Sequence, residues 1–276
     1  MFSTLFHLGP LTLHAYGLCL AVGILVCYAV LSRRARTRGL AEETLGNLVV
    51  LLVVSGLVGA RLFYVAEHWS STYAADPLAA FRIWQGGLMF YGSLIVGSIA
   101  LVAWCRLRHR GLLDTLDLFA VVMPLGQAFG RLGCFLNGCC YGRVSEAACA
   151  VSYPARSIPW TEQVYAGQLA DTAARSLPVL PSQLFETAGC LAIFALLFWL
   201  DRRGDREGAH RVPGRLFALY LSLYAVLRFL VETTRADERL HPFGGPFTIS
   251  QCISLGLLLL AAAIAQVSLR KSPSNP

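Results

Sequence analysis

The chain reads as an all-α integral membrane protein, a bundle of seven transmembrane helices with a small extracytoplasmic cap. Three observations carry that reading. Only 14% of the residues are charged against 56% hydrophobic, whereas a soluble globular domain carries about 25% charged residues. Seven apolar runs approach the roughly 20 residues that a helix needs to cross about 30 Å of hydrocarbon. The connections between them alternate between rich and poor in arginine, as expected of a chain that crosses a membrane repeatedly.

The runs lie near 13–31, 45–66, 87–105, 116–137, 183–200, 214–233 and 247–269. Arg33, Arg34, Arg36 and Arg38 follow the first, and Arg106, Arg108 and Arg110 the third. Arg202, Arg203, Arg206, Arg211 and Arg215 follow the fifth, and Arg270 and Lys271 the seventh. The opposite side holds only Arg82, Arg143, Arg156, Arg175, Arg235 and Arg239. By the positive-inside rule the N-terminus is periplasmic and the C-terminus cytoplasmic. The net charge of +7 is therefore a topology signal and does not point to nucleic acid. No basic segment precedes the first apolar run, so it does not read as a cleaved signal peptide.

No repeat or low-complexity tract divides the chain, which is expected to be a single transmembrane domain over 1–276. Two outer segments belong to it. Residues 67–86 end in Trp84, Gly86 and Gly87, with aromatics suited to an interface. Residues 142–182 carry Pro154, Pro159, Pro178 and Pro181 and are too long for an ordinary link, which suggests a cap or binding loop.

Five of the nine cysteines, Cys19, Cys27, Cys105, Cys190 and Cys252, fall in or beside apolar runs, where cysteine behaves as a small hydrophobe. The stretch GRLGCFLNGCCYGR at 130–143 holds Cys134, Cys139 and Cys140. Its C-x4-C-C spacing without a nearby histidine matches no standard zinc pattern. The reading there is packing thiols, with a disulfide from Cys139 or Cys140 to Cys149 as the alternative.

Polar residues recur at one depth. With alternating helix direction, His14, Tyr16, Arg61, Tyr64, Tyr91, Arg131, Cys134, Asn137, Gln183, Glu186, Arg228, Glu232, Arg235 and Gln251 fall in the outer leaflet. At 1.5 Å rise per residue most lie within about 10 Å of the outer boundary. Arg228, Glu232 and Arg235 share a helix face through i, i+4, i+7 spacing. An arginine at membrane depth marks a functional site by default. Three interior arginines, Arg61, Arg131 and Arg228, against Glu186 and Glu232 would leave positive charge for an anion, and a lipid phosphate suits forked guanidinium donors. The plainer alternative is a set of structural salt bridges, Arg228 with Glu232 first among them. A solute channel is disfavoured because the inner halves of the helices are nearly all apolar.

The stretch at 130–143 resembles the signature of the prolipoprotein diacylglyceryl transferase family of bacterial inner-membrane enzymes. LHAYGL at 13, GARLFYV at 59, WQGGLMFYG at 84, PSQLFE at 181 and LRFLVETTR at 227 continue the likeness in the family's order. The resemblance implies transfer of the sn-1,2-diacylglyceryl group of phosphatidylglycerol to the lipobox cysteine thiol in the signal peptide of a preprolipoprotein. It implies no metal and no organic cofactor, and nothing in the chain demands an oligomer. The alternative is a non-catalytic phospholipid-binding or transporting paralogue.

Residue by residue, the resemblance gives Arg131 and Arg228 the phosphate of the lipid and of the leaving group. Tyr16 matches a tyrosine the family needs, Gly142 the signature's terminal glycine, and Glu232 a glutamate one turn after Arg228. Asn137, Arg61, Gln183 and Glu186 match positions that support phosphatidylglycerol binding. Tyr91 stands where many members have a histidine proposed as general base, and Cys134 and Cys139 stand where the signature commonly has Asn and Glu. A phenol of pKa about 10 is a poor base at neutral pH, so the substrate thiol is expected to ionise with help from nearby arginines.

Overall fold

A computed structural model describes residues 4–8, 11–82, 86–206, 212–236 and 246–271, with side chains from Ala15 onward except those of Asp205, Arg206 and Lys271. Trp84, Arg211, Arg239 and the side chain of His14 lie outside this description. Two short antiparallel strands, β1 (Thr4–Leu8) and β2 (Leu11–His14), precede the first helix. Nine helices follow among the described residues: α1 Ala15–Thr37, α2 Glu42–Glu67, α3 Phe90–Leu107, α4 Leu112–Ala120, α5 Met123–Asn137, α6 Ile158–Tyr165, α7 Ser182–Arg206, α8 Arg215–Glu232 and α9 Ile249–Lys271.

This is a helical, multi-pass membrane protein. α1, α2, α3, α7 and α9 are each long and apolar enough to cross a bilayer, and α4 with α5 make a sixth span if the bent pair is counted as one. Their flanks are exposed and apolar, with Leu25, Ile99 and Leu259 63–74% accessible, as expected of surfaces that face lipid rather than water. One expectation changes. The fourth run is not one straight helix but two, meeting at 47°. Pro124 explains the break: it has no N–H to donate and its ring would clash with the carbonyl of Ala120, four residues back. The count of seven is not reached by length and hydropathy, because α8 carries Arg215, Arg228 and Glu232 in only 18 residues.

The chain divides into two compact units, Leu31–Thr115 and a second made of Met1–Val30 with Leu116–Pro276. In the first, α2 packs on α3 through facing glycines: a Cβ on Gly59 would strike the carbonyl of Gly92, and one on Gly92 that of Gly59. Only hydrogen side chains allow backbones this close. Beyond α2 the chain makes a π-helical turn at Trp69–Tyr73 and a 3-10 turn at Pro77–Phe81.

The second unit is built on α7, α8 and α9 around Val121, Ile193, Leu197, Tyr220, Leu221 and Ala261. The buried Asp117 carboxylate accepts hydrogen bonds from the Gly214 and Phe217 amides, each 2.8 Å, and so serves the otherwise unpaired N–H groups that open α8. α1 meets α5 where Gly133 lies under Tyr16 and where Gly23 lies under Phe129. The segment between α5 and α7 is ordered around Tyr141, Tyr153 and Val179. Val179 bridges both Val144 and Val151, the Trp160 indole donates to the Ala173 carbonyl at 2.8 Å, and the Tyr153 ring packs edge-on against Phe135 of α5.

Candidate active site

In the second unit, charged side chains from α5, α7 and α8 meet in pairs. Arg131 Nε lies 3.0 Å from Glu186 Oε2, and Glu186 is buried. The other Glu186 oxygen accepts from the Tyr224 hydroxyl at 3.3 Å. On α8, Arg228 Nη1 lies 2.7 Å from Glu232 Oε2 while its Nη2 donates to Ser250 Oγ at 3.1 Å. Glu232 Oε1 accepts from Thr248 Oγ1 at 2.9 Å. Tyr224, Arg228 and Glu232 occupy one face of α8 at four-residue spacing, and the Tyr224 phenol is in electrostatic reach of both Arg131 and Arg228.

Neither Arg131 nor Arg228 stands as an unpaired cation. Arg131 and Arg228 each hold one carboxylate, and each carboxylate is fixed from its far side by a hydroxyl. Such a buried pair keeps a guanidinium charged and oriented at membrane depth, where an unpaired one would be costly. Additional positive charge stands beyond the helix ends instead. Arg143 and Arg235 line a cavity of about 950 Å³ with Cys139, Cys140, Tyr141, Ile158 and Glu162.

The turn after α5 is built tightly. Gly138 ends the helix at φ 82°, and the amides of Gly138 and Cys139 both donate to the Cys134 carbonyl. Asn137 is the last helical residue, and the Cys139 thiol two residues on donates back to the Cys134 carbonyl at 3.8 Å. Gln183 is buried, donating from Nε2 to the Cys139 carbonyl at 2.8 Å and to the Tyr153 hydroxyl at 3.4 Å. Its Oε1 is buried with no hydrogen-bond partner among the described residues. Tyr16 lies over Gly133, in electrostatic reach of Arg131, Cys134, Cys139 and Cys140. The neighbouring Cys134 and Cys139 thiols hold the Cys140 thiol below its ordinary range, with Arg235 and Arg131 adding to the effect.

Gly142 is wedged between two strands of chain. Its amide donates to the Leu180 carbonyl at 2.8 Å, it bridges Arg235, and a Cβ there would lie 2.5 Å from Ser182 Oγ and 2.6 Å from the Thr234 carbonyl. The physical need for glycine here is close packing of the loop on the ends of α7 and α8.

Arg61 and Tyr91 belong to the other unit. Arg61 is buried, and its nitrogens donate to five carbonyls: Ala80 from Nε, Gly86 and Gly87 from Nη1, Ala79 and Arg82 from Nη2, at 2.7–3.4 Å. The Tyr64 and Tyr73 rings lie within 6 Å of it. It braces residues 79–82 and 86–87 rather than presenting free donors. Tyr91 opens α3 and is 55% exposed, with the Phe90 ring beside it.

Several residues escaped the sequence reading. Tyr224 was findable, being one turn before Arg228 on the same face. Thr248 and Ser250 sit in a polar run that opens α9, and no spacing rule ties them to α8. In the sequence Arg143 and Arg235 read as topology signals, and Arg235 also as part of a face with Arg228 and Glu232; α8 ends at Glu232, so Arg235 leaves that face to bridge Gly142, and with Arg143 it lines one cavity.

A family model described as prolipoprotein diacylglyceryl transferase matches residues 3–267. Among curated proteins, the chain is 37% identical to a phosphatidylglycerol–prolipoprotein diacylglyceryl transferase of Parasynechococcus marenigrum, over 84% of this chain and 80% of that one. It is 32% identical to the protein of that name from Bordetella parapertussis, over 94% and 92% of the two chains. It is 30% identical to phosphatidylglycerol–prolipoprotein diacylglyceryl transferase 2 of Clostridium perfringens, over 90% and 88%.

Proposed function

The chain belongs to the prolipoprotein diacylglyceryl transferase family, and we propose that it works as a seven-span enzyme of the bacterial inner membrane with its N-terminus periplasmic and its C-terminus cytoplasmic. α8, the sixth span in chain order, completes the seven, with Arg228 and Glu232 carried inward on one face. The protein is a transferase of lipoprotein biosynthesis, and its substrates are phosphatidylglycerol and a preprolipoprotein. One domain over 1–276, acting as a monomer, is sufficient.

The observation that carries the reading is the pairing of Arg131 with Glu186 and of Arg228 with Glu232, linked by Tyr224. In the reaction the lipobox thiolate attacks the glyceryl carbon attached to the phosphate. The C–S bond forms as the C–O bond breaks, glycerol phosphate leaves with the bonding pair, and the thiol proton is taken up by the phosphate or solvent. Negative charge therefore moves from sulfur to phosphate. Two preoriented guanidiniums in a low-dielectric site stabilise that charge without reorganising. Glu186 and Glu232 are positioning residues that hold the forks. The buried Gln183 Oε1 suits a donor from the lipid's terminal glycerol, Asn137 at the end of α5 supports lipid binding, and Gly142 keeps the cap seated. Tyr16 contributes a hydroxyl next to Arg131. Tyr91 assists without being the base, and Arg61 supports binding by bracing residues 79–82 and 86–87.

The test is a mass-shift assay of the protein in detergent with phosphatidylglycerol and a lipobox peptide. A gain of one diacylglyceryl group that requires both the peptide cysteine and Arg228 supports the reading. Arg131-dependent phosphatidylglycerol binding with no transfer would replace it with a lipid-binding role.

A further inference from the structure

The fold gathers three thiols that the transfer reaction does not use. Cys134, Cys139 and Cys140 are half-buried, and their sulfurs all lie within 4.8 Å of one another. The chain achieves this in seven residues by reversing direction. Gly138 takes a left-handed φ of 82°, Cys140 takes one of 61°, and the Cys139 amide is drawn back onto the Cys134 carbonyl. A left-handed conformation is unfavourable for a residue with a Cβ, and where one persists it points to a local requirement. The turn is also held from outside, since Gln183 fixes the Cys139 carbonyl at 2.8 Å.

Packing alone does not require sulfurs to converge, because a thiol behaves as a small hydrophobe wherever it is buried. Convergence of three is what a soft cation requires. With metal–sulfur bonds of about 2.3 Å, three thiolates around one ion stand about 4 Å apart, so the trio needs to close by less than about an ångström. Access exists as well. Cys139 and Cys140 line the cavity of about 950 Å³ beneath the cap. Charge is also compatible: a divalent ion with three thiolates is a monoanion, and Arg131 and Arg235 are in electrostatic reach of Cys140.

We propose that Cys134, Cys139 and Cys140 form a three-thiolate binding site for a soft d10 cation at the C-terminal end of α5. Thiolate ligands select ions of this class over hard cations such as magnesium or calcium. Binding changes no oxidation state. Each sulfur that carries a proton exchanges it for a bond to the ion, so at most three protons leave to solvent per ion bound.

The experiment is a Cd(II) titration of the purified full-length protein in detergent, without lipid or peptide, so that its outcome is independent of transfer activity. Sulfur-to-cadmium charge-transfer absorbance reports binding, and X-ray absorption at one equivalent counts the sulfur neighbours. The expected result is one tightly held ion with three sulfurs. Cys139→Ser and Cys140→Ser should each weaken it by more than about tenfold, since loss of even a residue behind the ligands costs about that much. Cys149→Ser, at an exposed cysteine outside the trio, should leave it unchanged. Fewer than three sulfurs around the ion in the unsubstituted protein would overturn the site without reliance on any variant. So would an affinity that ignores both serine substitutions.

Discussion

Arg131 Nε and Glu186 Oε2 stand 3.0 Å apart across α5 and α7, with the glutamate 2% exposed. Removing the carboxylate leaves a guanidinium at membrane depth with its partner gone. Glu186→Ala is expected to destabilise the protein by about 3 kcal/mol, and Glu186→Gln by less because the amide still accepts a hydrogen bond. Thermal unfolding in detergent measures both. Transfer activity should fall in each variant, since Arg131 loses its orientation.

Arg228 differs from a surface cation because its fork is held at both ends, by Glu232 at 2.7 Å and by Ser250 at 3.1 Å. Arg228→Ala should abolish diacylglyceryl transfer. Arg228→Lys keeps the charge and loses the planar fork, and a drop of at least about 100-fold is expected from the loss of one preoriented donor to a developing anion. Release of glycerol phosphate is the readout.

Tyr91 is the exposed phenol at the start of α3. If the substrate thiol ionises under the influence of the arginines, Tyr91→Phe keeps partial activity and the pH–rate profile keeps its shape. A fully inactive Tyr91→Phe in a folded protein would make the hydroxyl essential and reassign the base.

Gly142→Ala tests the seating of the cap. The added methyl would lie 2.6 Å from the Thr234 carbonyl, which is backbone and cannot swing aside as a side-chain end can. Overpacking of this kind costs about 1–3 kcal/mol. A lowered melting temperature with a raised KM for the lipid is the expected outcome.

Arg61→Lys should loosen residues 79–82 and 86–87. Three ammonium donors cannot serve five carbonyls in the plane of a guanidinium. Limited proteolysis should cut near Arg82 in the variant and spare the original protein there.

Much of this protein is determined by its linear order. The apolar runs near 45–66, 183–200 and 214–233 coincide with α2, α7 and α8, because a helix that must satisfy its own backbone in lipid leaves a run of about 20 apolar residues. The face carrying Arg228 and Glu232 also follows from spacing, since it lies within one helix. The break at Pro124 was available in principle from the proline itself, yet apolar periodicity on both sides masked it.

Tertiary structure alone decided which charges meet. Glu186 pairs with Arg131 from 55 positions away, Thr248 reaches Glu232 from the residue just before α9, and Arg61 turns to backbone carbonyls. The three thiols follow the same logic at short range. Their spacing of C-x4-C-C is silent, and the left-handed turns at Gly138 and Cys140 bring the sulfurs together. Hydropathy is a property each residue carries alone and survives in the linear order. A hydrogen bond or ion pair depends on two positions and the direction between them, and only the packed helices supply that direction.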